Sequence, residues 1–191
     1  MSAAFESLIA TPSVLAARQR YDGVRRPPAP AGQPAPLGPR EQAFIAARDS
    51  FYLATVGESG WPHVQHRGGP AGFLRVLAPD RLGFADYRGN RQYVSVGNLL
   101  HDDRVALILV DYPQRQRLKI LGRARIVDAG GAGAPEIAGF RPPPGGASVE
   151  RFLLIEVAAW DWNCAAHIAP RYTEAEWSGL VTPGREARAS S

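Results

Sequence analysis

Apolar and polar positions follow two different periods along this chain, and each change of period marks an element. From Phe51 the pattern has period two: FYLATV (51–56) reads as a strand, Gly57-Glu58-Ser59-Gly60 as a turn, and WPHVQHR (61–67) as the returning strand of a hairpin. GFLRVL (72–77) and RLGFAD (81–86) predict a second hairpin around Ala78-Pro79-Asp80. RVALILVDY (104–112) is a continuous apolar run, expected to be a strand buried on both faces. In QRLKILGRARIVDA (116–129), Leu118 and Ile120 against Arg123 and Arg125 predict one core face and one wet face, and ERFLLIEVAAWDWN (150–163) is the last strand.

Helical spacing appears in four places. Phe5, Leu8, Ile9, Val14 and Leu15, interrupted at Thr11-Pro12-Ser13, predict two short helices or one broken one. Pro39-Arg40-Glu41 opens a helix through Asp49, with proline in the first turn. Tyr93, Val96, Leu99 and Leu100 predict a short helix within 90–101, beginning near Asn90, and 173–180 predicts another. The stretch 130–148 is loop-like, with one helical turn expected around 136–139. The proline-rich run VRRPPAPAGQPAPLGP (24–39) reads either as a disordered spacer or as an extended strap on a partner subunit. Six or seven hairpin-connected strands must close or stack to bury both faces. The expected fold class is therefore mainly β (α+β), a barrel with flanking helices. The expected organisation is an N-terminal extension over 1–39, a barrel domain over 40–180 and a tail over 181–191.

The 191 residues suffice for one well-filled core, and 45% apolar with 21% charged residues is an ordinary globular balance. No run approaches the ~20 apolar residues of a membrane span. The N-terminus carries Glu6 early and makes a poor signal peptide. The lone Cys164 leaves no internal disulfide, which fits a reducing cytoplasm. The net charge of +4 comes almost wholly from arginine, Lys119 being the only lysine, and is spread along the chain. It makes no concentrated basic face of the kind that binds nucleic acid.

Three clusters carry candidate chemistry. In HRGGPAG (66–72), a strand ends in Arg67 beside two glycines, so a guanidinium and backbone N–H groups meet where a flavin's pyrimidine edge needs donors; a plain tight turn is the alternative. In DYRGNRQ (86–92), Arg88 and Arg91 flank Gly89-Asn90 before a helix, an arrangement suited to a dianionic phosphate. In WDWNCAAHIAPRYT (160–173), Trp160 and Trp162 share a face, and Asn163, His167 and Arg171 follow, a set that stacks on and pairs with a planar anion. Together they read as a site for a flat, phosphorylated cofactor, FMN. A zinc reading of Cys164 and His167 lacks a second ligand pair, so no metal is expected.

The run from FYLATV through HRGGPAGFLRVL, LGFADYRGNRQYVSVGNL and RVALILVDY, with WNC and PRYT further on, resembles the FMN-binding split-barrel family named for pyridoxamine 5'-phosphate oxidase. It is most similar to a bacterial flavin-nucleotide-binding subgroup, over residues 40–176. The resemblance implies an FMN-binding split β-barrel acting as an oxidoreductase on a small molecule, in a homodimer with one FMN in each cleft between subunits. By position, it puts Gln65, His66, Arg67 and Gly68 at the isoalloxazine edge and Asp86 and Tyr87 by the ribityl chain. Arg88, Asn90, Arg91 and Gln92 would hold the phosphate. Trp162, Asn163, His167 and Arg171 would come from the C-terminal segment across the interface. His66 and His167 are the candidate proton donors. Two departures point away from pyridoxamine phosphate as substrate: Ala165-Ala166 replaces a Pro-Gln pair of the subgroup, and the GREARASS ending lacks the arginine-and-proline terminus of the vitamin B6 oxidases. Flavin storage or sensing without turnover remains an alternative, as do a deazaflavin or haem in place of FMN.

Overall fold

In a computed structural model, residues 2–23, 27, 30, 32, 35–130, 140 and 148–181 are described. Seven strands form one antiparallel sheet: β1 (Ser50–Val56), β2 (Pro62–Gly68), β3 (Arg75–Ala78), β4 (Arg81–Tyr87), β5 (Arg104–Asp111), β6 (Gln116–Asp128) and β7 (Val149–Asn163). Five helices accompany it: α1 (Ala3–Ile9), α2 (Pro12–Asp22), α3 (Pro39–Ala46), α4 (Val94–His101) and α5 (Glu174–Val181). Among them, no helix is long and apolar enough to cross a membrane.

The sheet order is β2-β1-β5-β6-β7-β4-β3. It curls so that its two ends meet. Phe51 of β1 packs against Phe84 of β4, with ring centroids 5.2 Å apart, and Arg67 of β2 forms an ion pair with Asp86 of β4. The core lies inside this curl, where Leu53, Leu107, Leu109, Leu118, Ile120 and Leu153 are fully or almost fully buried. The result is a barrel split along one seam.

Period-two patterning explains most of the strands. On β6, Leu118, Ile120, Gly122 and Ala124 are buried while Arg123 and Arg125 are exposed. Gly122 sits at a bulge against β7, where a Cβ would stand 2.5 Å from the Glu156 carbonyl oxygen, so the backbones approach too closely for any side chain. β5 differs from the expectation of burial on both faces: Val105, Leu107 and Leu109 are buried, but Ala106, Ile108 and Val110 are half-exposed. Composition cannot tell a strand covered by its own chain on both sides from one with a second apolar face left open. Tyr52 and Val64 extend that open face across β1 and β2.

The N-terminal residues break into two helices because Thr11 caps the second and Pro12 opens it. The described part of the proline-rich run packs on its own barrel. Leu37 is buried and donates its N–H to the Pro79 carbonyl (2.7 Å), while Ala35 accepts a hydrogen bond from Trp160 Nε1 (2.9 Å). Gly32 lies so close to α1 that a Cβ would meet the Ala4 nitrogen at 2.6 Å. The helical turn expected around 136–139 and most of the tail lie outside the described residues.

Candidate functional site

The seam of the barrel opens into a cleft of about 330 Å³. One wall is β2. Alternation puts His63, Gln65 and Arg67 toward the cleft and Val64 and His66 on the opposite face, where His66 meets Tyr52 edge-on at 5.6 Å. Gln65 accepts a 2.8 Å hydrogen bond from buried Ser95 Oγ, and Asn98 Nδ2 donates to Thr55 Oγ1 at 2.9 Å. These two bonds fix α4 against the β1–β2 hairpin.

The floor is an ion-pair chain. Asp86 is buried; one of its oxygens accepts from Arg67 and the other from Arg151 Nη1 at 2.9 Å. Arg151 Nη2 also donates to Glu150 at 2.8 Å, and its guanidinium lies over the Tyr93 ring, 4.9 Å from the centroid. Burial lowers the Arg67 pKa, partly offset by Asp86. At Arg151 burial again opposes the charge, but Asp86 and Glu150 outweigh it and the pKa is raised. Two guanidiniums share one buried carboxylate, and Arg67 Nε is buried with no hydrogen-bond partner among the described residues. The floor therefore has a donor to spare.

The rim is the turn between β4 and α4. Arg91 (φ 61°) and Tyr93 (φ 52°) both adopt the left-handed conformation, uncommon for residues with a side chain and concentrated at functional turns. Asn90 Oδ1 accepts from the Gln92 N–H at 3.2 Å and holds the turn in shape. The helix begins at Val94, four residues later than the spacing predicts, because the glycine-containing turn takes up the intervening residues. Its cap residue Tyr93 makes no side-chain capping bond, and Val94, Ser95 and Val96 of the first turn line the cleft together with Asn90, Arg91 and Gln92. An uncapped helix start beside an arginine is a favourable place for an anion.

The cleft thus brings together Gln65, Arg67, Asp86, Tyr87, Asn90, Arg91 and Gln92. Gly68 ends β2 outside it, and Arg88 is exposed just beyond β4, its N–H donated to the Ser148 carbonyl at 3.1 Å. The C-terminal cluster stands elsewhere in its own chain. Trp162 Nε1 donates to buried Glu41 at 2.7 Å, and the indole packs edge-on against Phe44 of α3. Asn163 Oδ1 is buried without a hydrogen-bond partner among the described residues, His167 is exposed with φ 63°, and Arg171 lies 4.9 Å over the Tyr112 ring. Arg151 and Trp162 are at opposite ends of β7, up to roughly 35 Å apart at the usual rise per residue. One chain cannot gather all three sequence clusters into one site.

Sequence reasoning missed His63, Tyr93, Ser95, Glu150 and Arg151. His63 was within reach, since it shares the face of Gln65 and Arg67 by strict alternation. Arg151 was not, because it enters through its register opposite Asp86 between strands distant in sequence. Among the described residues, no group of three or more His, Cys, Asp or Glu side chains could hold a metal ion.

A curled seven-stranded antiparallel sheet with a charged cleft at its seam defines a split-barrel protein. The model of the family described as pyridoxamine 5'-phosphate oxidase matches residues 37–157, and the chain belongs to that family. Among solved structures, HupZ of Group A Streptococcus is similar at 15% identity and a TM-score of 0.53, over 71% of this chain and 100% of that one. A histidine-to-alanine variant of the same streptococcal protein gives 15% identity and 0.52, over 66% and 99%. A putative pyridoxamine 5'-phosphate oxidase from Lactobacillus delbrueckii gives 21% identity and 0.48, over 64% and 90%. The streptococcal likenesses establish the fold alone. No curated protein matches the sequence.

Proposed function

We propose that the chain is an FMN-binding flavoprotein that works as a homodimer and as an oxidoreductase on a small molecule. The observation that carries this reading is the cleft itself: an arginine-bearing turn at an uncapped helix start on one side, and a buried guanidinium with an unused N–H on the other. Family membership supports a flavin there. Asn90, Arg91 and Gln92 would hold the phosphate, and Gln65 and Arg67 the pyrimidine edge. When bound, FMN supplies the electron chemistry.

The chain's own residues would orient the ring and set the field around it. Arg67 keeps a positive charge in a poorly hydrated place, where it acts more strongly than in water. His63 is the imidazole on this cleft, whereas His66 faces away from it. Trp160 and Trp162 donate to Ala35 and Glu41 respectively, so neither roofs the cleft of its own chain, as a storage role would favour.

The open apolar face of Tyr52, Val64 and Ile108 supports the homodimer, as does the distance between the cleft and the C-terminal cluster. A second copy would bring Asn163, His167 and Arg171 to a cleft they cannot reach in their own chain.

The phosphate assignment is tested by FMN titration of two variants. Arg91→Ala is expected to weaken affinity about ten- to hundredfold, the loss of one charge-assisted contact. Arg88→Ala, off the cleft, should change it by less than about threefold. Equal effects in the two variants would overturn the assignment.

A further inference from the structure

A second cavity, of about 380 Å³, lies around the sheet edge from the cleft, and Tyr87 lines both. It is built on the outer face of the β3–β4 hairpin, where Arg75 pairs in register with Gly83. A Cβ at Gly83 would stand 3.1 Å from Phe140 Cζ and 2.9 Å from Leu154 Cδ2, so the missing side chain is what lets Phe140 settle there. Phe152 braces Phe140, with ring centroids 5.2 Å apart. The Arg75 guanidinium lies over the same ring, 5.0 Å from its centroid. Pro70, Gly72 and Phe73 complete the walls.

Arg75 is the exception among the arginines that line these two cavities and are half-buried. Arg67 and Arg151 both pair with Asp86. Arg75 takes part in no salt bridge among the described residues, and its Nη1 is buried with no hydrogen-bond partner. A buried cationic donor left unpaired is costly, and stability alone favours an apolar side chain in its place.

We propose that this cavity binds a small planar monocarboxylate, an aromatic or heteroaromatic acid. Its carboxylate pairs with the edge of the Arg75 guanidinium, and its ring lies among Phe140, Phe73 and Pro70. The charge count selects the class. Among the described residues, one unpaired guanidinium, with no other cation and no helix start lining the cavity, matches a single negative charge and the fork geometry of a carboxylate. A phosphate dianion calls for more donors than the described walls provide. Phe140 occupies one face of the guanidinium, which leaves its edge for the ligand. The site stands whether or not the neighbouring cleft takes a flavin.

Benzoate is the probe, titrated into the full-length protein by calorimetry and ligand-observed NMR. Saturable binding at one site per chain is expected, in the millimolar range or tighter. Neutral benzamide should not bind at the same concentrations. Arg75→Met should weaken benzoate at least about tenfold without lowering the melting temperature, because it removes an unpaired charge and keeps the stem. Phe140→Ala, which spares the charge, should weaken benzoate as well and gives a second reading if the first variant misfolds. No benzoate binding at about 10 mM, equal binding of benzamide, or unchanged affinity in folded Arg75→Met would overturn the proposal. Inorganic phosphate binding more tightly than benzoate through Arg75 would overturn the carboxylate class.

Discussion

Asp86 is the residue on which the cleft depends. It is buried at a strand end and holds Arg67 on one oxygen and Arg151 on the other, tying together β2, β4 and β7 across the seam. Removing it would leave two guanidiniums facing each other in a half-dry site. Asp86→Ala is expected to lose about 3–5 kcal/mol of stability, read as a fall in the denaturation midpoint with an unchanged slope. A midpoint within error of wild type would show that the chain of ion pairs does not hold the seam. The sequence offered Arg67 and Asp86 as candidates at strand ends, and the structure places both on one cleft. The pairing of Asp86 with Arg151 was not legible, because that partner belongs to a strand more than sixty residues away. Buried ion pairs between distant strands leave no trace in local pattern.

Elements were more legible than their roles. Most strands follow from period-two runs, β5 from a continuous apolar run, and the helices from caps and spacing, because each signal is local. The turn before α4 was harder: departures into positive φ at Arg91 and Tyr93 delay the helix, and no glycine announces either of them. The proline-rich segment was ambiguous for a different reason. Leu37 and Ala35 find their sites on Pro79 and Trp160, contacts set by tertiary packing and not by composition. β5 shows what composition cannot decide. Its second apolar face, continued by Tyr52 and Val64, is the surface proposed to meet a second copy. Light scattering after size exclusion should give twice the 20.6 kDa chain mass, and Val64→Arg should shift the protein toward monomer. A wild-type protein that remains monomeric as concentration rises would remove the interface.

At the scale of the whole molecule, the barrel is a frame that brings two sheet ends together and leaves ligand-sized openings at the join. Among the described residues, the cleft holds a net positive charge along its floor and rim, and the outer cavity holds one unpaired arginine. The family and the fold follow from the chain itself, whereas the cofactor is a proposal built on the cleft. It is tested most directly by the absorbance spectrum of the purified protein, as isolated and after incubation with FMN and desalting. A retained flavin spectrum at about one FMN per chain is expected, since each chain has one arginine-bearing turn and one buried arginine floor on the cleft. A folded protein that keeps no flavin in either sample would contradict it.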